Sequence, residues 1–387
     1  MSRATWVCLM AIAFLANLAF AQQTGNARPR GPRVEVVCPS DPIPVRIGDH
    51  QVLVYELHVT NFDKVPLAIS ELEVYADARK DHRLLSAAGA ELAKMVQSVG
   101  SRESTSTKLD PGGRSVIFIT IELGSDSMPP ERLLHWVTFT SDTSNERSSP
   151  ISTPAKSILN GFPVIVSREQ VPVLAPPFEE GIWVASEGPA NESGHRRTLL
   201  AIDGRVHAPE RFASDWVKVG PNGDSRRGTA KNEDYWAYGQ PILSVADGEV
   251  TTVVDGIPDN MPGTLPNEIS LENIAGNHIV LRIAPNRYVM YAHLQPGSIT
   301  VAPKQHVVRG TVIGRLGNSG QSTGPHLHLQ VTDGGAPLES EGVPFVFIEF
   351  VDLGPGAEFE LDKHISVPRQ NSLPSRDQVV QFKAARR

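Results

Sequence analysis

The sequence predicts a mostly β protein that contains two antiparallel domains. Several segments of the 387-residue chain alternate apolar and polar side chains with a period of two, which is the pattern of half-buried strands. Clusters of turn-forming residues separate these segments, in agreement with a content of 32 Gly and 31 Pro. Apolar residues follow helical spacing convincingly in a single segment, residues 92–99. Strands joined by turns therefore account for most of the chain.

Residues 1–21 have the three parts of a signal peptide. A charged start with Arg3 precedes an apolar run at residues 6–15, and Ala-Phe-Ala at residues 19–21 resembles a cleavage site. The apolar run is short for a membrane span, and Asn17 interrupts it. We therefore expect cleavage after this site and export to the periplasm or the extracellular space, without stable membrane insertion of the mature chain.

Charge and cysteine content argue against two classes of function. The formal net charge of −7 gives no electrostatic basis for nucleic-acid binding. Of the two cysteines, Cys8 leaves with the signal peptide, so Cys38 has no partner for an internal disulfide in the mature chain. We expect Cys38 to be a small buried hydrophobic residue rather than a reactive thiol.

Residues 32–166 are predicted to form the first domain. Within residues 53–60, apolar side chains at odd positions alternate with a mixed set at even positions. The turn Asp110-Pro111-Gly112-Gly113 precedes a long apolar strand at residues 115–123, and another strand covers residues 133–140. Strands of this length, separated by turn clusters, predict an immunoglobulin-like β-sandwich. It has no cluster of catalytic residue types, so we expect an accessory or positioning domain.

The second domain is predicted at residues 182–353. Prolines in residues 167–181 mark the connection between the domains. Strand patterns cover residues 242–251, with an Asp-Gly turn, and residues 278–293, and no helical pattern is convincing. The domain is therefore expected to be antiparallel β-structure. The final segment, residues 368–387, is polar and slightly basic and is predicted to be a disordered tail.

Residue types that bind metals recur in this second domain. His326 and His328 enter a predicted strand with one residue between them, so both imidazoles point to the same face. His293 lies in another strand-like segment, and Asp215 precedes a tryptophan. Each histidine alone is explained by a satisfied, half-buried polar role. Together these residues offer neutral imidazole and carboxylate, which are the ligands of catalytic zinc.

The context of these histidines resembles a known family. Tyr-Ala-His-Leu at residues 291–294 is followed by a glycine-punctuated stretch at residues 309–320 and by Thr-Gly-Pro-His-Leu-His at residues 323–328. In this order the motifs are similar to those of the lysostaphin-type (LytM-like) zinc metalloendopeptidases of bacterial cell walls, across about residues 180–350. The resemblance implies the duplicated hybrid motif fold of an antiparallel β metallopeptidase domain, a Zn²⁺ cofactor, and hydrolysis of peptide bonds in peptidoglycan cross-links or another peptide.

The resemblance also implies roles for individual residues. Asp215 and His328 correspond to zinc ligands, and His293 and His326 correspond to catalytic residues. The family's first ligand histidine falls at Arg211, four residues before Asp215, and a protonated guanidinium cannot ligate a metal. Either another histidine replaces it, or the site is catalytically degenerate and the domain binds cell wall or regulates another hydrolase.

A hairpin identifies a candidate for the replacement. Asp203-Gly204 is a strong two-residue turn. Continuing the pairing on both sides of this turn brings His195 opposite Phe212, three residues before Asp215. Strict alternation then leaves His195 on the wrong face by one residue, and a bulge at Pro209 is expected to correct this.

His207 is the alternative candidate for the third ligand. The same pairing places it opposite Leu200 and about 26 Å before Asp215 along an extended strand. We prefer the nearer histidine, and Arg211 is then expected to bind a substrate carboxylate or a neighbouring acid. The predicted zinc ligands are His195, Asp215 and His328.

Two further features leave alternatives open. Residues 218–238 and 255–277 are long insertions, which are frequently functional on a compact domain. In the first, Tyr235, Trp236 and Tyr238 either line a substrate groove or pack the loop against the domain. Glycine-punctuated β-barrels also occur in phosphocarriers and biotin carriers, but the predicted signal peptide disfavours such a cytoplasmic role.

Overall fold

The structure is a computed structural model. It describes residues 31–76, 82–100, 106–125, 127–141, 156–220, 222–228, 231–356 and 366–383. The predicted signal peptide, residues 1–21, lies outside the described residues. In the described part, no helix is long and apolar enough to cross a membrane.

The N-terminal part is a two-sheet β-sandwich. Its elements are β1 (Val34–Val37), β2 (Val45–Ile47), β3 (His50–Asn61), β4 (Leu67–Ala76), β5 (Arg83–Ala88), α1 (Gly89–Met95), β6 (Val96–Ser98), β7 (Lys108–Leu109), β8 (Arg114–Leu123), β9 (Arg132–Ser141) and β10 (Ser157–Ile165). One antiparallel sheet has the order β1-β3-β8-β6, with β2 paired to β3, and the other has the order β10-β9-β4-β5, with β7 paired to β4. The sandwich is thus present, and its immunoglobulin-like type stays a prediction.

A single apolar core joins the two sheets of the sandwich. Leu57 and Ile119 of the first sheet and Leu72 and Phe139 of the second belong to this core and are fully buried. Cys38 packs against the same core as a free cysteine, and burial raises the pKa of its thiol to about 12. A thiol with that pKa stays protonated near neutral pH and is a poor nucleophile.

Strand β3 is buried on both faces. Its odd-numbered residues 53–59 belong to the sandwich core, whereas Val52 and Val54 belong to the core of the C-terminal part. Glu56, which shares the second face, is only 1% exposed. Alternation of apolar and polar residues alone predicts that one face of a sandwich strand is exposed to solvent. Here that face is covered, because the C-terminal part of the chain packs on it.

The C-terminal part is also built from β-strands. Its elements are β11 (Val173–Leu174), β12 (Gly181–Ser186), β13 (Leu200–Ile202), β14 (Arg205–His207), β15 (Ser214–Val219), β16 (Pro241–Leu243), β17 (Gly248–Val254), β18 (Asn277–Ala284), β19 (Arg287–Leu294), β20 (His306–Val307), β21 (Val312–Arg315), β22 (Leu327–Thr332), β23 (Val346–Pro355), β24 (Val367–Ser372) and β25 (Gln378–Phe382), with 3-10 turns at Asn232–Asp234 and Pro337–Glu339. The main sheet has the order β11-β23-β25-β12-β15-β22-β19-β18-β17-β20, with β24 paired to β23. Strands β11 and β23 pair in parallel, and the other strand pairs of this sheet are antiparallel.

The prediction of a disordered tail at residues 368–387 is wrong for residues 368–383. Strand β24 pairs with β23, and β25 pairs with both β12 and β23. Val379, Val380 and Phe382 of β25 are at most 1% exposed. The segment is polar in composition, but its few apolar residues fill the core between strands that lie far away in sequence. The main sheet of the C-terminal part therefore extends beyond residues 182–353.

Candidate metal centre and catalytic site

Three neighbouring strands place the predicted site residues together. In the main sheet β22 lies between β15 and β19. Asp215 of β15 and Ala292 of β19 both pair with His328 of β22. His326 immediately precedes β22, and His293 is one residue beyond Ala292. The alternation of side chains along a strand, which predicted a common face for His326 and His328, thus holds at the edge of β22.

His195 reaches this cluster from a turn rather than from a strand. The hairpin at residues 203–204 forms as predicted, and His207 lies opposite Leu200. The ladder ends with that pair, however, and residues 208–213 are turn and loop. The proposed bulge at Pro209 and the pairing of His195 with Phe212 are therefore wrong. His195 belongs to a series of turns before β13.

The predicted ligand atoms converge nevertheless. One ligand atom from each of His195, Asp215 and His328 lies within 4.8 Å of the other two. Nε2 of His195 is 3.4 Å from Oδ2 of Asp215, and Nδ1 of His328 is 3.0 Å from Oδ1. The three side chains are largely buried, with exposures of 16%, 19% and 5% respectively. Two imidazoles and a carboxylate are a ligand set that leaves a fourth zinc position for water.

The hydrogen bonds of His328 show that this set fits a metal ion. Nε2 of Gln330 donates to the carbonyl oxygen of Pro337, so its Oε1 accepts from Nε2 of His328 at 2.7 Å. Nδ1 of His328 then faces a carboxylate oxygen of Asp215, which requires a proton or a cation between the two atoms. A metal ion in the place of that proton leaves the hydrogen bond to Gln330 intact, as for zinc-bound histidines generally.

His293 and His326 are held by backbone carbonyl groups. Nδ1 of His326 donates to the carbonyl oxygen of Gly324 at 2.8 Å, and Nδ1 of His293 donates to that of Ser319 at 2.8 Å. Nε2 of His326 is 3.4 Å from Oδ2 of Asp215, and the ring centroids of His293 and His326 are 4.8 Å apart. Because each Nδ1 carries a proton, each neutral ring has its basic lone pair on Nε2.

The backbone around His293 is shaped for this position. His293 has a φ of 62°, in the left-handed region that few residues other than glycine adopt. The carbonyl group that anchors it belongs to Ser319, whose Oγ accepts from the backbone N–H of Asn277 at 2.9 Å. Gly276 and Gly320, with φ of 58° and 75°, lie where two segments of the chain cross. A Cβ on either glycine would lie 2.5 Å or less from the other segment. This crossing explains part of the glycine pattern seen in the sequence.

Burial and mutual charge set the protonation of the cluster. Burial acts to raise the pKa of Asp215, but His195, His326 and His328 outweigh it and hold the pKa well below its usual value. Burial acts to lower the pKa of His328, but the hydrogen bond and charge of Asp215 raise it to about 9. Burial, with His326 and His328, lowers the pKa of His293 far below 6.5. Asp215 is thus ionised and His293 neutral near pH 7.

Arg211 and His207 lie apart from the ligand group. The guanidinium of Arg211 is 3% exposed and donates to both carboxylate oxygens of Glu56, to Oε2 of Glu341 and to the carbonyl oxygen of Gly342. Nδ1 of His207 is 3.4 Å from Oε1 of Glu341. Of the two partners predicted for Arg211, the structure therefore contains the neighbouring acid.

The aromatic residues of the first insertion differ in what they contact. Trp236 donates to Oδ1 of Asp224 within the same insertion, whereas Tyr238 donates to Oδ2 of Asp259 in the second insertion and so links the two insertions. The ring of Tyr235 lies against Gly324, where a Cβ would be 3.6 Å from it. Tyr235 is thus close to the segment that leads into His326.

Sequence reasoning missed two residues that contact the cluster or its supports. Gln330 follows His328 by two positions, so strand alternation was sufficient to place it on the same face. Glu56 lies in β3 of the sandwich, more than 130 residues before the cluster, and its local sequence contains no signal for a role there.

Comparison with known proteins identifies the family of residues 233–340. Residues 233–340 match the model of Peptidase family M23, so the chain contains a domain of this family and the resemblance seen in the sequence is confirmed. The matched region includes His293, His326 and His328, whereas His195 and Asp215 precede it.

Two curated relatives of this region are named as endopeptidases, and one of the names specifies peptidoglycan. Peptidoglycan DD-endopeptidase ShyA of Vibrio cholerae is 39% identical over 104 residues, which are 26% of this chain and 23% of that protein. DD-carboxypeptidase/endopeptidase Mpg of Neisseria meningitidis is 38% identical over 68 residues, which are 18% of this chain and 15% of that protein. The similarity thus spans less than a quarter of either relative.

Two solved structures are also similar. The catalytic domain of the antimicrobial peptidase lysostaphin from Staphylococcus simulans matches with a TM-score of 0.23 and 19% identity, over 43% of this chain and 88% of that chain. A zinc containing peptidase from Vibrio cholerae matches with a TM-score of 0.23 and 15% identity, over 72% of this chain and 77% of that chain. At these TM-scores the overall likeness is low.

Proposed function

We propose that the chain is an exported zinc metalloendopeptidase that hydrolyses peptide bonds, with peptidoglycan cross-links as the substrate. The convergence of His195, Asp215 and His328 beside His293 and His326 is the observation that carries this proposal. The name of one curated relative, which specifies peptidoglycan, supports the substrate class. The signal-peptide pattern of residues 1–21 supports a periplasmic or extracellular location.

In this proposal the side chains divide into ligands and proton carriers. His195, Asp215 and His328 would hold zinc, and a bound zinc ion would supply the Lewis acidity that activates water and polarises a peptide carbonyl group. Gln330 fixes the ring of His328 through its hydrogen bond to Nε2. His326 accepts a proton at Nε2, since its Nδ1 proton is engaged by a carbonyl group.

His293 has a related role in a drier environment. It is 7% exposed, and its pKa lies far below 6.5, so its Nε2 is an acceptor throughout the neutral range. A proton received there converts Nε2 into a donor next to the reacting groups, and the cost of charging a buried ring favours rapid transfer onward to the leaving amine. Tyr235 lies on the approach to His326 and is proposed to line the substrate groove.

One observation favours a different function, a degenerate peptidase domain that binds cell wall or regulates another hydrolase. Arg211 occupies the position of the first ligand histidine and cannot bind a metal. The arrival of His195 at Asp215 compensates for this loss and favours catalysis. The two functions differ in zinc content and in cleavage.

Metal analysis and a cleavage assay of the purified chain test the proposal. We expect about one zinc ion per chain, release of cross-linked muropeptides, loss of cleavage after chelation, and recovery when zinc is added. A chain that takes up no zinc from excess metal would refute the enzyme and leave the wall-binding function. Zinc uptake without cleavage of any cross-linked peptide would refute the substrate class.

A further inference from the structure

The turn that carries His195 is attached to the N-terminal sandwich. The guanidinium of Arg196 is fully buried, donates to the carbonyl oxygen of Tyr55 at 2.9 Å and pairs with the carboxylate of Glu56. The next residue, Arg197, donates to the carbonyl oxygen of Lys94. Both arginines that follow His195 are therefore bound to the first domain.

The start of the same turn is attached to strand β8 of the sandwich. Nδ2 of Asn191 donates to the carbonyl oxygen of Phe118 at 3.1 Å, and its Oδ1 accepts from the hydroxyl of Thr120 at 2.9 Å. The ring of Phe118 also faces the guanidinium groups of Arg196 and Arg197 at 5.1 and 4.4 Å. Contacts on both sides of His195 thus fix the turn to the sandwich.

Glu56 is the centre of this attachment. Its carboxylate is 1% exposed, forms an ion pair with Arg196 and accepts from Arg211, while Arg211 also donates to Glu341 at 2.6 Å. Two carboxylates and two guanidinium groups balance to a formal charge of zero. Removal of the central carboxylate leaves two buried guanidinium groups that repel each other, which is strongly unfavourable in a site closed to water.

We infer, on the basis of the proposed zinc site, that Glu56 is a positioning residue that makes the N-terminal sandwich part of the metal centre. Through Arg196 it holds His195 against Asp215. Through its ion pair with Arg211, it also holds the Arg211 side chain away from the metal, although Arg211 occupies the family's first-ligand position. The sandwich thereby supplies the support for the ligand that the peptidase domain lacks in its own sequence.

Geometry explains why such support matters. A metal site loses affinity when a ligand moves by more than about 0.5 Å from its position. His195 lies on a turn, which has no ladder of hydrogen bonds to hold it, unlike Asp215 and His328 on paired strands. Loss of a residue that orients a ligand costs about 10–100-fold in metal affinity. We expect a loss of this size when Glu56 is neutralised.

The test is a double-mutant cycle with zinc affinity as the readout, measured in the full chain by competition with a chromophoric chelator. Glu56→Gln is expected to weaken zinc binding about 10–100-fold in the wild-type background and to have almost no effect in a His195→Ala background. Glu122→Gln, at an exposed carboxylate on the same sheet, is the matched control and should leave affinity unchanged. Equal losses in both backgrounds, or none in either, would overturn the role of Glu56.

Two measurements separate positioning from general destabilisation and from failure of the zinc site. With Co²⁺ in place of zinc, the visible spectrum of Glu56→Gln should differ from that of the wild type, whereas the spectrum of Glu122→Gln should not. Glu56→Asp, which keeps the negative charge, should recover part of the metal affinity. In metal-free protein, hydrogen exchange in Glu56→Gln should rise at residues 191–198 but not in β22. If the wild type binds no zinc, the proposed function fails, and unchanged exchange at residues 191–198 would then refute the positioning role separately.

Discussion

Replacement of His195 by alanine is the most direct test of the metal centre. The change removes one of three protein ligands, whose Nε2 is 3.4 Å from Oδ2 of Asp215. Residues that only orient a ligand contribute about 10–100-fold to metal affinity. Loss of the ligand itself should therefore exceed about 100-fold, or about 3 kcal/mol of binding free energy. The expected result is a chain that folds and loses its zinc on dialysis.

His207→Ala is the matched control for that substitution. His207 is 7% exposed, belongs to β14 of the same hairpin region, and lies 3.4 Å from Glu341 rather than from Asp215. Its loss should lower the free energy of unfolding by about 1–3 kcal/mol, the cost of disturbing a buried polar contact, without changing zinc content. Both variants are buried-histidine-to-alanine changes, so a difference in zinc content between them reports ligation.

The assay is zinc content after dialysis, with urea denaturation of each variant as the check on folding. Zinc retained in His195→Ala and lost in His207→Ala would refute the ligand assignment. Zinc retained in both variants would show a two-ligand or unrelated site.

Three further predictions concern catalysis, acid stability and the C-terminal strands. His326→Ala should abolish cleavage of cross-linked peptides and retain zinc, whereas His328→Ala should lose the metal, and equal zinc loss in both variants would contradict the division of roles. Burial lowers the pKa of His135 to about 4, so the unfolded state binds the extra proton below pH 6.5, and this histidine alone should lower the free energy of unfolding by about 3 kcal/mol between pH 7 and pH 4. Urea denaturation of His135→Gln should show a correspondingly smaller pH dependence, and an unchanged slope would assign the effect elsewhere. Truncation after residue 366 removes three buried apolar side chains of β25, whose burial alone contributes about 5–9 kcal/mol. Because this is as large as the stability of a typical domain, circular dichroism should show an unfolded chain. A truncated chain with an unchanged melting temperature would contradict the structural role of this strand.

Local pattern was sufficient for the elements and for most of the candidate site. Strand alternation predicted that His326 and His328 share a face, and the Asp-Gly turn predicted the hairpin at residues 203–204. The spacing of apolar residues predicted α1, although the helix ends at Met95 and residues 96–98 continue as a strand. Each of these features depends on residues close together in the chain, whose geometry is set by backbone periodicity.

The remaining features depend on segments that only tertiary packing brings together. The choice of His195 over His207 was right about proximity to Asp215 but wrong about its cause, because a turn bound to the sandwich, and not a strand ladder, carries His195. The polar face of β3 is buried because the peptidase domain covers it, and Glu56 gains its role only there. The polar C-terminal segment becomes two strands because distant strands offer it hydrogen bonds and a core. Local sequence determines which face of a strand a side chain occupies. Contacts between distant segments decide whether that face is buried and which charges it pairs with, because burial and charge pairing depend on both contacting segments.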